Sequence, residues 1–177
     1  MRIIAGEFRG RHLLSPEGLA TRPITDRAKQ SLFDILQPLL ADAMVYDLFA
    51  GTGSMGLECL SRGAKHVTFF EQDRSALERL RQNITSLNLQ ERCRIIGGDL
   101  FAFFARPSAT AKAPNICFLD PPYQMVRENA DSLRALAKHL SGLVVFRHDA
   151  ADHLELPPLQ SFDQRKYGQM MIELLRR

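Results

Sequence analysis

The feature that most constrains the fold is an apolar run at residues 44–49, Met-Val-Tyr-Asp-Leu-Phe, that ends in a glycine-rich turn, Ala50-Gly51-Thr52-Gly53-Ser54-Met55-Gly56. Such a run reads as a strand, and the glycines admit a tight turn into a helix that continues through Leu60 and stops at Gly63. The same unit then recurs. Residues 66–70 read as a second strand and 73–87 as an amphipathic helix with Leu77, Leu80, Ile84 and Leu87 at helical spacing. Residues 94–96 read as a third strand, 100–104 as a short helix, 115–119 as a fourth strand, 130–140 as a helix and 143–146 as a fifth strand. Residues 162–167 and 170–175, around Gly168, read as a closing hairpin. Strands that alternate with helices require a mostly parallel sheet covered on both faces. The expected fold class is α/β.

Upstream of this unit, residues 2–14 alternate loosely, with Ile3, Ile4, Phe8, Leu13 and Leu14 interrupted by Gly6 and Gly10. That pattern predicts a β-hairpin or a bent strand pair with arginines on its open face. Pro16, Gly18 and Pro23 make a turn-rich link, after which Thr25 or Asp26 caps a helix with Ala28, Leu32, Phe33 and Leu36 on its apolar face. Residues 106–114 and 125–129 read as generic loops. A length of 177 residues fits one domain. No repeat or long linker divides it, so 1–177 is read as a single domain and 1–24 as its basic N-terminal hairpin extension.

The net charge is only +3, but residues 1–30 carry six Lys/Arg against three acids, and the rest of the chain balances. All the excess positive charge therefore sits in the first sixth of the chain. A local basic segment on a neutral body fits a nucleic-acid contact, though charge alone fits a solvated surface equally well. No signal-peptide pattern follows Arg2, and no apolar run approaches the roughly 20 residues of a membrane span. A cytoplasmic protein with no membrane contact is expected. Cys59, Cys93 and Cys117 show no paired spacing and read as buried hydrophobes in a reducing compartment. His12, His66, His139, His148 and His153 are scattered, so no metal site is expected.

Gly51-Thr52-Gly53-Ser54-Met55-Gly56 fits G-x-G-x-x-G, and Glu71 lies 20 residues past Gly51 at the end of the second strand. Glycines let a ligand approach the backbone, and an acid at that strand end suits a ribose diol. Any adenosine cofactor fits this geometry. Two residues favour S-adenosylmethionine over NAD. Asp47 would repel a pyrophosphate, but it can balance an ammonium or a sulfonium. Asp99, after the third strand, is placed to accept from an adenine amine, or simply to cap the helix that follows.

The second motif is Asp120-Pro121-Pro122-Tyr123, at the end of Ile116-Cys117-Phe118-Leu119. Two prolines force the chain out of the sheet in a stiff loop. The tetrad offers a carboxylate, free carbonyls and a flat ring, which together can grip a planar amine. An exocyclic purine amine is a weak nucleophile because its lone pair is delocalised. Acceptance of its hydrogens by Asp120 and the Pro121 carbonyl, with Tyr123 stacked on the base, would aim that lone pair at a methyl carbon. No metal and no covalent nucleophile are needed. A base inside a duplex would have to be flipped out.

These motifs resemble the RsmD family, bacterial guanine-N2 methyltransferases of small-subunit (16S) ribosomal RNA. The resemblance spans nearly the whole chain: Arg2-Ile3-Ile4-Ala5-Gly6, Arg9-Gly10-Arg11, Arg22-Pro23-Ile24-Thr25-Asp26-Arg27 with Phe33, the glycine loop, Glu71, Asp99, the Asp-Pro-Pro-Tyr tetrad, and Tyr167-Gly168. It implies a class I methyltransferase fold, a seven-stranded sheet with an antiparallel C-terminal strand and an N-terminal hairpin extension. It implies S-adenosylmethionine contacts at Asp47, Phe49, Ala50, Gly51, Gly53, Glu71, Asp99 and Leu100. Asp120, Pro121, Pro122 and Tyr123 would hold the guanine amine, and Arg9, Arg11, Arg22 and Arg27 would meet RNA phosphate. The expected partner is 16S rRNA in an assembling or assembled small subunit, and a monomer is expected. Gln30 departs from the glutamate common in the family. Adenine-N6 methylation of DNA or RNA, which uses the same tetrad, is the rival within the class. An NAD-dependent oxidoreductase is the rival outside it.

Overall fold

The computed structural model describes residues 1–15, 24–106 and 113–177. Arg22 and the turn-rich link therefore lie outside the described residues.

Helix α1 (Asp26–Leu40) starts at Thr25, whose hydroxyl accepts from the Ala28 N–H at 3.3 Å. It turns Ala28, Leu32, Phe33, Leu36 and Leu40 inward. The regular unit follows as β1 (Met44–Leu48), α2 (Ser54–Ser61), β2 (His66–Glu71), α3 (Arg74–Ser86), β3 (Cys93–Gly97), α4 (Leu100–Phe104) and β4 (Ile116–Leu119). Then come α5 (Tyr123–Glu128), α6 (Ala130–Ala137), β5 (Leu143–Asp149), β6 (Gln160–Tyr167) and β7 (Met170–Arg176). The seven strands form one sheet in the order β3-β2-β1-β4-β5-β7-β6. β3, β2, β1, β4 and β5 pair in parallel, and β7 runs antiparallel between β5 and β6. The chain starts in the middle at β1, winds outward to β3, and then returns to β4 on the other side of β1. That reversal leaves a crevice at the carboxyl ends of β1 and β4, the usual ligand position in such sheets.

Strand alternation divides the apolar residues between two cores. Val45, Val67, Phe69, Phe118 and Val145 pack with residues of α1, α2 and α3, including Leu32, Leu57 and Leu80. Tyr46, Leu48, Phe70, Leu119 and Phe146 pack with residues of α4, α5 and α6, including Leu100, Val126 and Leu133. Asp47, Asp120 and Arg147 each lie two residues beyond a residue of the first core, so the pleat turns all three to that face. α2 sits close against β2: a Cβ on Gly56 would lie 2.3 Å from Phe69 Cε1 and 2.7 Å from Val67 Cγ1.

Three elements differ from the sequence expectation. β5 runs to Asp149, because β7 pairs with it through Met170 opposite Asp149. Residues expected as a loop form α5, since Pro122 at φ −51° presets the helical entry. The N-terminal hairpin is reduced to a single bridge, Arg2 to His12, with Ile3 N–H bonded to the Arg11 carbonyl and Gly10 N–H to that of Ile3. Its backbone turns instead to the body. Ile4 and Ala5 N–H groups donate to the Glu58 carboxylate, and Glu7 N–H donates to the Ser61 carbonyl. Gly6, at φ +83°, lies so near that carbonyl oxygen that a Cβ would approach within 1.9 Å. No helix among the described residues is long and apolar enough to cross a membrane.

Candidate active site

The glycine loop and the double-proline corner stand side by side because β1 and β4 are neighbours with Leu48 opposite Leu119. Asp120 N–H donates to the Leu48 carbonyl at 3.4 Å. The loop itself is strained at one non-glycine position: Phe49 has φ +61°, followed by Gly51 at +55° and Gly53 at +86°. Its shape is held from outside. Ala50 N–H bonds to the Phe70 carbonyl, and Gly51 N–H donates to Glu71 Oε2 at 2.6 Å.

Glu71 accepts twice more through Oε1, from Gln72 and Asp73 N–H groups. A carboxylate offers about four acceptor sites, so Oε2 keeps one for a ribose hydroxyl. Asp99 does cap α4, with Oδ1 accepting from Phe101 and Ala102 N–H. Its Oδ2 has no hydrogen-bond partner among the described residues. Leu100 is buried below it, and the Phe49 and Phe101 rings lie 6.1 Å apart. A Cβ on Gly51 or Gly98 would meet nothing within 4 Å, so the space in front of both turns is open. Phe49, Glu71, Asp99 and Leu100, the residues expected to hold an adenosine, lie at or just past the ends of three adjacent parallel strands, β1, β2 and β3.

Asp47 is buried, and its Oδ2 accepts from the Gly56 N–H at 2.9 Å, which ties β1 to the first turn of α2. Burial pushes its carboxyl up to about 8, with Asp120 and Glu71 adding repulsion and the Gly56 bond working against it. The sequence signal missed one group here. Arg147, near the end of β5, donates from Nε to Asp120 Oδ1 at 2.5 Å, and both side chains are largely buried. Burial raises the Asp120 carboxyl pKa against the pull of Arg147. Burial works against the charge on Arg147, but Asp120 more than compensates and its pKa is raised. Tyr123 and Asp47 also act on that guanidinium. The signal for Arg147 was its position at every-second-residue spacing from Leu143 and Val145, which places it on the site face.

A second missed group is a buried ion cluster. The Glu58 carboxylate takes Lys29 Nζ at 2.9 Å and Arg62 Nε at 2.8 Å, all three side chains being nearly sealed from solvent. Lys29 also donates to Ser54 Oγ at the start of α2 and to the Arg2 carbonyl. Burial lowers the Lys29 pKa despite Glu58. Burial would raise Glu58, but Lys29, the Ile4 N–H and Arg62 bring it below its ordinary value. Lys29 falls on the apolar face of α1 with Leu32, Phe33 and Leu36, and Glu58 and Arg62 are four apart; those spacings were the available signals.

Of the expected RNA contacts, Arg9 and Arg27 are exposed and have no side-chain partner among the described residues. Arg11 is exposed but donates to the Ser86 carbonyl at 2.8 Å. Arg2 pairs with Asp26 and, with Arg9 and Gln30, lines a cavity of about 380 Å³. The three cysteines are free thiols. Burial pushes Cys93 and Cys117 up to about 12 and Cys59 well above its ordinary value. No cluster of metal-ligating side chains occurs among the described residues.

A family model described as Conserved hypothetical protein 95 matches residues 1–176. Ribosomal RNA small subunit methyltransferase D of Escherichia coli K12 is 39% identical over 124 residues, covering 70% of this chain and 61% of that protein. The protein of the same description from Haemophilus influenzae is 41% identical over 137 residues, covering 75% of this chain and 69% of its own. The match thus spans about three-fifths to two-thirds of these relatives' lengths. A solved structure of a putative methyltransferase from Escherichia coli superposes with a TM-score of 0.84 at 32% identity, covering 100% of this chain and 97% of that one.

Proposed function

Because this chain belongs to the RsmD family of methyltransferases, we propose that it methylates the exocyclic N2 of a guanine in 16S ribosomal RNA, with S-adenosylmethionine as donor. The observation that carries the reading is the adjacency of two loops on neighbouring strand ends: the adenosine cradle after β1 and the Asp120 tetrad after β4. S-adenosylmethionine, when bound, supplies an electrophilic methyl carbon on a sulfonium. Glu71 accepts from the ribose hydroxyls, Asp99 Oδ2 accepts from the adenine amine, and Phe49 and Leu100 flank the base. Asp120 and the Pro121 carbonyl accept from the guanine amine and turn its lone pair toward the donor. Pro122 stiffens the corner, and Tyr123, the first residue of α5, clamps the base face. Positioning and preorganised acceptors supply most of the acceleration. The amine proton leaves to solvent after transfer, so no strong base is required.

The exposed cations at the N-terminal side, Arg9 and Arg27, are placed to meet RNA phosphate. They are few, which favours a substrate held in shape by an assembling or assembled small subunit. Nucleoside mapping of 16S rRNA from cells with and without this gene tests the reading. One N2-methylguanosine should disappear with the gene. Retention of every N2-methylguanosine, with loss of an N6-methyladenosine, would reject it.

A further inference from the structure

We propose that Arg147 is the specificity-determining partner of Asp120, holding it as an acceptor-only carboxylate that selects the N1–H and N2–H edge of guanine. The inference rests on the reading above and adds a residue to it. Arg147 Nε occupies Asp120 Oδ1 at 2.5 Å. About four acceptor sites belong to a carboxylate, so Oδ2 and a second site on Oδ1 stay open. Guanine presents two adjacent donors there. Adenine presents an acceptor, N1, beside its amine, and a carboxylate repels it. A protonated Asp120 would lose this preference, since its O–H could donate to an acceptor at N1.

The surroundings make Arg147 decisive. Asp120 meets Arg147 from β5 and acts on Asp47 from β1, Tyr123 from α5 acts on Arg147, and Glu71 from β2 acts on Asp47. Arg147 is the one cation in that set. Its Nη1 also contacts Met170 Sδ of β7 at 4.0 Å, so the guanidinium is braced from the far side. Of these two neighbouring carboxyls, Asp120 alone among the described residues has a charged partner in bonding contact; Asp47 has a backbone N–H. The ion pair therefore gives Asp120 an opposite charge in contact that Asp47 lacks, and environments that differ in this way assign separate roles to two acids.

The test uses the full chain on small subunits reconstituted with guanine or 2-aminopurine at the mapped nucleotide. The analogue keeps the amine but carries an acceptor at N1. Calorimetry with S-adenosylhomocysteine checks that each variant retains the donor site. The wild type should methylate guanine at least about 100-fold faster than the analogue. In Arg147→Gln that ratio should fall by about tenfold or more, and the acid limb of kcat/KM should move about one to three pH units upward, the span of a lost opposite charge. Arg147→Lys should keep the limb near its wild-type position. Asp120→Asn, whose amide can donate to N1, should lose the discrimination and the limb without relying on Arg147→Gln to fold. If Arg147→Gln lowers the rate but leaves both ratio and pH profile unchanged, the guanidinium is only structural and the inference falls, while the proposed function stands. If the wild type methylates neither substrate, both fall together.

Discussion

At the residue scale, Asp47 shows how one side chain can carry both structure and charge. Its Oδ2 bonds the Gly56 N–H and so fixes the turn in front of α2. Burial first, and the neighbouring carboxyls second, push its pKa up to about 8. When unfolded the same group titrates near pH 4. The folded chain therefore binds more protons than the unfolded one across that window. The stability this group contributes is full below about pH 4 and is lost as the pH rises toward about 8. Asp47→Asn keeps an acceptor for Gly56 and has nothing to titrate. Urea denaturation should show a smaller loss of stability from about pH 5 to about pH 8 in the variant than in the wild type. Parallel slopes would mean that Asp47 is ionised in the folded chain. The motif located this residue from sequence, but its protonation state depends on neighbours from other strands.

At the element scale, α1, α2 and the N-terminal segment are joined through Glu58. Its carboxylate holds Lys29 of α1, Arg62 past the end of α2, and the Ile4 and Ala5 N–H groups. Arg62 also lies 4.9 Å over the Phe33 ring. Replacing Glu58 with Gln leaves two cations without their counter-charge in a sealed site, which costs about 3–5 kcal/mol when a buried pair is broken. Chemical denaturation should show that loss. Native-state hydrogen exchange should also show faster exchange of the Ile4 and Ala5 amides than of amides in β1. A variant with wild-type stability would mean that the cluster rearranges without penalty. The helices were legible from their apolar periodicity. The cluster was not read, because Glu58 and Arg62 at a spacing of four look the same on a solvated face as in a core.

At the scale of the whole molecule, a chain of otherwise balanced charge carries its excess positive charge within residues 1–30. The arginines there are not equivalent. Arg9 is exposed without a side-chain partner among the described residues, whereas Arg11 reaches back to the Ser86 carbonyl and Arg2 pairs with Asp26. Arg9→Ala should weaken RNA binding uniformly across sequences and reduce the slope of log affinity against log salt by about 0.7–0.9, the value for one phosphate contact. Filter binding over a salt series measures it. An unchanged slope would place the RNA elsewhere on the surface.

The alternation of strands and helices, the glycine turn and the Asp-Pro-Pro-Tyr corner were all determined locally, since periodicity, glycine freedom and proline rigidity act within a few residues. The parallel sheet followed from them, because a strand joined to the next through a helix can pair in only one sense. What the tertiary structure decided was adjacency across long separations. Strand β5 had to extend beyond Phe146, and pair with β7, before Arg147 could meet Asp120. The N-terminal segment had to fold onto α2 before Glu58 could accept from Ile4 and Ala5. Charge pairing of this kind is a property of distance and burial, and neither is written into the spacing of residues along a chain.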